Sequence, residues 1–527
     1  MNTDWMEEDL TPGEADQMQT CNVIYGVDSA YDCWYEVENL VRLFLGGMCC
    51  GYGYKIFRDE ESREADGKLS EHHKPKSQSD NYVLVEITDR LHTEVKLCKK
   101  KMAERTAPLP EERSKDAVEY ALCSLLYDAL HEVSGYTPPW GMLTGVRPVQ
   151  KVVQLLDAGK TPEEAAAILQ EKYRISDDRM KMAADTARVQ YPLLPHDPRE
   201  ISFYVSIPFC PTRCSYCSFI SQPMDKIEKM VPVYIEKLCE EIAWYGALIR
   251  RHGLRVTSVY IGGGTPTAIT AEQLRTVMQA IADHIDMTET CEYTVEAGRA
   301  DTITEDKLRV IREMGAKRIS VNPQTMQDSV LEAIGRRHTA QQVVDAFKLA
   351  RSLGFEDINM DLIAGLPTDT YEGFADTLRQ VMELDPDSIT VHTLTIKRAG
   401  GLYFKDQKWM QNLEISDIER MAALSAELLP AGGWQPYYLY RQKNTRGNLE
   451  NVGYAKPGKE NLYNILIMDE TQTILAAGCA ASTKLVAPGG DITRVMNYKL
   501  PDGYIKQFDT MMEKKQTICV FFEKRKF

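Results

Sequence analysis

Tyr204-Val-Ser-Ile-Pro-Phe-Cys210-Pro-Thr-Arg-Cys214-Ser-Tyr216-Cys217 is the stretch on which the reading of this 527-residue chain turns. It closes a strand-like run, ISFYVSI (201–207), and then sets three cysteines at C-x3-C-x2-C spacing. Three thiolates on one tight loop can hold three irons of a [4Fe–4S] cluster, and full cysteine ligation takes four. The fourth iron would then be open to an exogenous ligand. A zinc site and plain coincidence both stay open at this point. Structural zinc takes four protein ligands, and a distant Cys239 or His252 would have to complete such a site. Coincidence has room to act because the chain holds 13 cysteines.

Downstream, short apolar runs alternate with amphipathic stretches. The strand-like runs are VTSVYIGG (256–263), CEYTVEA (291–297), RISVNPQ (318–324), INMDLIAGL (358–366) and DSITVHTLTI (387–396). Helical periodicity falls between them, near 226–251, 271–285, 304–314, 340–353 and 371–384. Near-continuous apolar strands separated by helices predict a parallel sheet with helices on its outer face. Six βα units fall short of a closed eight-stranded barrel, so the expectation is an open, partial (β/α)6 barrel. Barrels of this kind place their chemistry at the carboxyl ends of the strands. The unusual residues do fall there: Gly262-Gly263-Gly264-Thr265-Pro266-Thr267, Glu296, Gln324, Arg336 and Asp361. Consecutive glycines permit a close backbone approach, and they equally permit a tight strand–helix turn. Glu296 can accept hydrogen bonds from hydroxyls, or it can pair with a cation at the barrel mouth. Arg336 carries a planar fork suited to a carboxylate.

The C-x3-C-x2-C spacing, with Tyr216 before the third cysteine, resembles the signature of the radical S-adenosylmethionine (SAM) superfamily. The Y-V-x-I-P-F-C lead-in resembles the branch that contains oxygen-independent coproporphyrinogen III oxidase and the heme chaperones. The resemblance spans about residues 200–485, and the whole chain is similar to the longer coproporphyrinogen dehydrogenases of the HemZ type. It implies a [4Fe–4S] cluster on Cys210, Cys214 and Cys217. It also implies SAM contacts from Tyr204, Tyr216, Gly263, Gly264, Thr265, Glu296, Gln324, Arg336 and Asp361. The implied reaction is oxidative decarboxylation of coproporphyrinogen III propionates to vinyls by a 5′-deoxyadenosyl radical, in heme biosynthesis. An electron donor such as flavodoxin or ferredoxin would be the protein partner. Lys397, Arg398 and Arg441 are the candidate contacts to the substrate carboxylates. Two departures bear on this. Phe219 and Ser206 stand where the oxidases carry a further Cys and a His. Glu450-Asn451-Val-Gly-Tyr454-Ala455 stands where the heme chaperones carry H-N-x-x-Y-W. A heme-binding chaperone and a radical SAM methyl transferase are therefore the alternatives.

Around this core the expected domains are an N-terminal α+β domain (1–195), the barrel (196–400) and a C-terminal lid-like module (401–527). The runs YVLVEITD and TEVKLCKK predict a β-hairpin in the first of these. The polar, aromatic and Gly-rich stretch after residue 430 reads as facing substrate, without a sheet core of its own. A net charge of −15 argues against nucleic acid as the main partner. The first 41 residues lack Lys and Arg, and no run of about 18 apolar residues occurs. The expectation is a cytoplasmic enzyme with no membrane association, its remaining cysteines unpaired.

Overall fold

The computed structural model describes residues 20–27, 29–48, 55–59, 82–97, 101–219, 221–395, 415–442 and 449–525. The described chain forms two compact units. One holds residues up to Val146 together with Glu163–Lys181; the other holds Arg147–Pro162 and most of the chain from Met182 onward.

The first unit is α+β. Its strands are β1 (Thr20–Gly26), β2 (Lys55–Asp59), β3 (Tyr82–Ile87), β4 (Arg90–Leu97) and β5 (Lys101–Pro108), in the order β2-β1-β3-β4-β5. The expected hairpin is β3–β4, paired antiparallel from Tyr82–Lys96 to Ile87–Leu91. Period-two alternation buries Val83, Val85, Leu91 and Val95 on one face. Helices Trp34–Met48 and Lys115–Ser134 contribute Leu40, Phe44, Leu122 and Leu126 to the same core. The second helix starts at Ser114, whose side chain accepts from Ala117 N, and ends at Gly135 in the left-handed region. The Gly/Pro-punctuated stretch 137–150 runs from this unit into the other. Within the second unit Arg147 donates to Met468 O and pairs with Glu470.

The second unit is built on one eleven-stranded sheet. Its parallel centre is β6 (Glu200–Ile207), β7 (Arg255–Gly263), β8 (Glu292–Gly298), β9 (Arg318–Val321), β10 (Asp357–Ala364) and β11 (Ser388–Thr393). These are the six expected strands, in chain order across the sheet. The intervening helices are Val231–His252, Ala271–His284, Glu305–Glu313, Ala340–Ser352 and Tyr371–Leu384. Capping boxes at Thr270/Gln273 and Thr339/Gln342 fix two of their starts. The run 318–324 is a shorter strand than its composition suggests. β9 stops at Val321 because Pro323 has no N–H to give the ladder. Gln324 beyond it adopts φ +69° and rejoins the sheet through a single bridge to Leu362.

Among its described residues the C-terminal segment forms no separate sheet of its own, as expected. Its described residues extend the same sheet at both edges. β12 (Gln435–Arg441) and β13 (Glu450–Ala455) join antiparallel beside β11. β14 (Thr473–Ala477) pairs parallel with β6 and is followed by antiparallel β15 (Ser482–Val486) and β16 (Ile492–Met496). The tyrosines are what make 435–441 a strand: Tyr437 and Tyr438 are buried, and residues of this type favour a half-buried pleated surface. Three short helices, Pro501–Lys506, Phe508–Lys514 and Gln516–Glu523, end the chain. They are tied to helix Val231–His252 by a fully buried ion pair, Lys515 Nζ to Glu241 Oε1 at 2.7 Å.

No helix of the described residues is long and apolar enough to cross a membrane.

Candidate active site

Alternation along the six parallel strands sends every second side chain to the concave face. Ser320 and Asn322 follow that rule at the end of β9, as do Asn359, Asp361 and Ile363 on β10. With the cysteine loop they line a cavity of about 390 Å³ at the carboxyl ends of the strands. A larger cavity, about 1040 Å³, opens at the opposite ends of the same strands, beside Thr257, Glu292 and Arg318. Chemistry in such barrels belongs to the carboxyl ends, and the three clustered cysteines stand only in the smaller cavity's wall.

The cysteine loop is closed at its base and pinned along its length. Phe209–Cys210 pairs with Gln222–Pro223, and Gln222 N donates to Pro208 O. Ser215 N donates to Ile334 O, and Thr212 Oγ1 donates to Gly335 O. The triple glycine explains how the loop sits so close to the sheet. A Cβ on Gly264 would lie 2.6 Å from Phe209 O, and one on Gly263, at φ +110°, 2.8 Å from Ser206 Oγ. Freed of side chains, this backbone bonds the loop's first residues: Gly264 N to Ile207 O at 2.8 Å and Thr265 N to Phe209 O at 2.7 Å. The tight-turn reading and the close-approach reading of these glycines are thus one feature, and Gly263, Gly264 and Thr265 also line the cavity.

Cys210, Cys214 and Cys217 are unpaired thiols in the cavity wall, Cys214 buried and the other two partly exposed. Cys210 Sγ lies 3.4 Å from Thr265 Oγ1. Burial pushes the Cys217 thiol up to about 11. Among the described residues no three His, Cys, Asp or Glu side chains converge on one ion. Cluster thiolates each take their own iron and need not converge. The distant zinc candidates are not in this cavity's wall: Cys239 Sγ lies against Thr276 O, and His252 packs on the Phe522 ring. The donor set therefore fits a cluster better than a single ion.

The other sequence candidates divide. Tyr216, Glu296, Gln324, Arg336 and Asp361 all line the cavity. The register of β8 against β9 shifts between Val295 and Gly298, the stretch that carries Glu296. Burial pushes the Glu296 carboxyl up to about 7, although Tyr260 OH donates to it at 2.5 Å. Arg336 donates to Asn322 O at 2.6 Å and to Tyr216 OH at 3.1 Å. Asp361 accepts from Asn359 Nδ2 at 2.7 Å and faces His392 Nε2 at 3.9 Å. Tyr204 is not in the cavity wall. It lies deeper in the barrel, stacked on Tyr463 and Tyr260 with centroids 5.9 and 6.2 Å away. Arg441 is buried on β12, and its neighbours Tyr440 and Gln442 line the cavity while it faces the other way. Lys397 and Arg398 lie outside the described residues.

Three side chains outside the expected contact set have buried polar atoms without a hydrogen-bond partner at this cavity: Ser320 Oγ, Asn322 Oδ1 and Asn451 Nδ2. Orphaned buried polar atoms are costly, and a polar ligand would relieve them. Ser320 and Asn322 had a signal in the sequence: they are polar residues at alternate positions in a run otherwise fit for burial.

A partial parallel barrel with three cysteines and a glycine-laid loop at its mouth defines the radical SAM class. The Radical SAM superfamily model matches residues 204–381. Relatives narrow the class. The oxygen-independent coproporphyrinogen-III oxidase-like protein HemZ of Bacillus subtilis is 38% identical over 406 residues, covering 76% of this chain and 80% of its own. The heme chaperone HemW of Haemophilus influenzae is 31% identical, covering 58% of this chain and 76% of its own. The oxygen-independent coproporphyrinogen III oxidase of Pseudomonas aeruginosa is 31% identical, covering 41% and 45%. The chain belongs to the HemZ-type family of oxygen-independent coproporphyrinogen-III oxidase-like proteins, within the radical SAM superfamily.

Proposed function

We propose that this chain catalyses the oxidative decarboxylation of coproporphyrinogen III in heme biosynthesis, using a [4Fe–4S] cluster held by Cys210, Cys214 and Cys217. The observation that carries this reading is the cavity that gathers the three thiols with Glu296, Gln324, Arg336 and Asp361. Bound there, the cluster would supply the one electron for cleavage of SAM to methionine and the 5′-deoxyadenosyl radical that takes a hydrogen atom from a propionate side chain, and an external acceptor would take one further electron as carbon dioxide leaves. The chain's own residues bind and orient. Gly263, Gly264 and Thr265 offer backbone and hydroxyl to the amino-acid end of SAM. Arg336 offers its fork to the carboxylate. Glu296 and Asp361 accept from hydroxyls, and the enclosing walls exclude water from the radical.

The competing reading is heme binding, which the chaperone relatives raise. Residue 450 weighs against it. Where the chaperones' pattern has histidine, Glu450 is buried at 4% exposure, and no imidazole stands there for heme iron.

The test is an anaerobic turnover assay on cluster-reconstituted protein with coproporphyrinogen III, SAM, a reductant and a cell extract as electron acceptor. Protoporphyrinogen and 5′-deoxyadenosine should accumulate together and vanish in Cys214→Ala. Deoxyadenosine without porphyrin product would keep the radical chemistry and discard the substrate. Tight heme binding with neither product would favour the chaperone reading.

A further inference from the structure

β8 delivers two things to the mouth of the barrel. Glu296 enters the cavity wall. Three residues on, after Gly298 turns the chain at φ +66°, Arg299 reaches the cysteine loop. Arg299 is 3% exposed. Its Nη1 donates to Thr212 O at 3.0 Å and Thr212 Oγ1 at 2.9 Å, and lies 3.8 Å from Cys214 Sγ. Its other two donors are committed: Nε to Asp301 Oδ1 at 2.9 Å and Nη2 to Asp301 Oδ2 at 2.7 Å. Asp301 in turn faces His338 Nδ1 at 3.5 Å, in a side chain that is itself buried. The guanidinium is thus fixed in place from behind, and only the edge toward the loop is left to act.

A buried Arg–Asp pair needs no sulfur to be satisfied. Here the free edge grips the loop at both Thr212 and Cys214, two residues apart, so it sets the position of that thiolate and places N–H density against its sulfur. Reduction adds one negative charge to a cluster whose cysteine ligands are already anionic. Hydrogen bonds to the ligand sulfurs stabilise the more negative state and raise the potential. Arg336 also lies near this loop, bonded to Tyr216 and Asn322 O. Arg299 differs in that Asp301 holds its Nε and Nη2 from behind.

We infer that Arg299 is a positioning residue that makes the cluster easier to reduce, through its contact with Cys214 Sγ and its grip on Thr212. The inference rests on reading the three cysteines as cluster ligands.

The test is a redox titration of the reconstituted protein, following the electron paramagnetic resonance signal of the reduced cluster, with iron and sulfide content measured first. The key variant is Arg299→Met/Asp301→Asn, which removes both charges together and leaves neither buried alone. Its reduced-to-oxidised ratio at a fixed poise should fall about tenfold, a midpoint lower by about 59 mV for one electron. Arg299→Lys keeps the charge and loses the fork, so it should fall between the double variant and wild type; it decides the matter if the double variant assembles no cluster. A full cluster complement with a midpoint unchanged in both variants would overturn the inference. So would lower cluster content at an unchanged midpoint, since that describes a structural role alone. If the wild-type protein assembles no cluster, the reading of the cysteine loop fails, and the inference goes with it.

Discussion

Gly264→Ala isolates the geometry that joins the cysteine loop to the sheet. Gly264 is not in the left-handed region, so alanine imposes no backbone penalty of its own. The cost is steric. The new Cβ would sit 2.6 Å from Phe209 O, 2.9 Å from Phe209 N and 3.0 Å from Phe209 C. Ordinary contact begins near 3.4 Å, so the backbone beside Cys210 must retreat by about 3.4 − 2.6 = 0.8 Å. All three atoms are main chain, and no side-chain rotation can relieve them. The retreat also stretches Gly264 N to Ile207 O and Thr265 N to Phe209 O, the bonds that lay the loop on the sheet. Overpacking of this kind costs about 1–3 kcal/mol. A displacement near 1 Å at a reacting centre costs about 100-fold in rate. The expected result is a folded protein with lower iron content and 5′-deoxyadenosine formation down about 100-fold. Circular dichroism, iron analysis and single-turnover product measurement on the same preparation check it. Full iron content with turnover within threefold of wild type would refute the claim that these glycines exist to seat the loop.

Lys515→Met strands the Glu241 carboxylate in a wholly buried site, with Asn497 Nδ2, Gly478 N and Tyr504 OH as its remaining donors. Breaking a buried pair costs about 3–5 kcal/mol, so exchange protection in helices 501–523 should fall by roughly two to three and a half orders of magnitude, about one per 1.4 kcal/mol. Lys515→Met/Glu241→Gln should recover most of that loss in the same hydrogen-exchange measurement. The Glu296 carboxyl, pushed up by burial to about 7, holds its proton in the fold where the unfolded chain, with an ordinary pKa near 4.5, has released it. The fold binds more protons across that window, so stability falls as pH rises from about 4.5 to 7. Glu296→Gln should flatten the slope, with a gain on the order of 3 kcal/mol near pH 7, read by urea titration of the ligand-free protein at several pH values. Asn451→Leu removes the orphan donor in the cavity wall along with the acceptor for Thr393 N. It should raise the KM for porphyrinogen while SAM cleavage without porphyrinogen stays within threefold, measured as 5′-deoxyadenosine.

The parallel half of the molecule was legible because each of its strands is a short apolar run bounded by a helix of clear period. The candidate site residues stood out because they interrupt that texture at the strand ends. Cys210, Cys214, Cys217, Glu296 and Asp361 are polar or reactive side chains in places that otherwise read as buried. The failures have physical causes too. β12 and β13 lie among tyrosines, glycines and polar residues, and their strand character comes from pairing with β11 and from burial of Tyr437 and Tyr438, which no local pattern announces. Tyr204 could be placed on its strand by period, but not at its depth. That depth depends on Tyr463, a residue from a helix 259 positions along (463 − 204), coming to stack on it. Arg299 passed unnoticed because an arginine after a glycine reads as surface. Only the fold shows it 3% exposed and bonded to the cysteine loop.

The sheet itself indicates where members of this branch come to differ. β6 to β11 all run the same way, so their carboxyl ends share one rim, and the radical-generating candidates lie on it. β13 then enters antiparallel beside β11, registering Val452 with Val391 and Ser388 with Ala455. Its amino end therefore meets the same rim, and Glu450 and Asn451 arrive there from a strand running the opposite way. Asn451 Oδ1 accepts from Thr393 N at 2.9 Å, and Glu450 O accepts from Thr393 Oγ1 at 3.0 Å. This reversal lets a segment outside the six βα units place side chains opposite the cysteine loop without disturbing it. A substitution at 451 can change what the cavity holds while the loop, the glycines and the strand ends stay as they are. A change of ligand made at 451 would leave that frame as it is, consistent with one fold serving several functions.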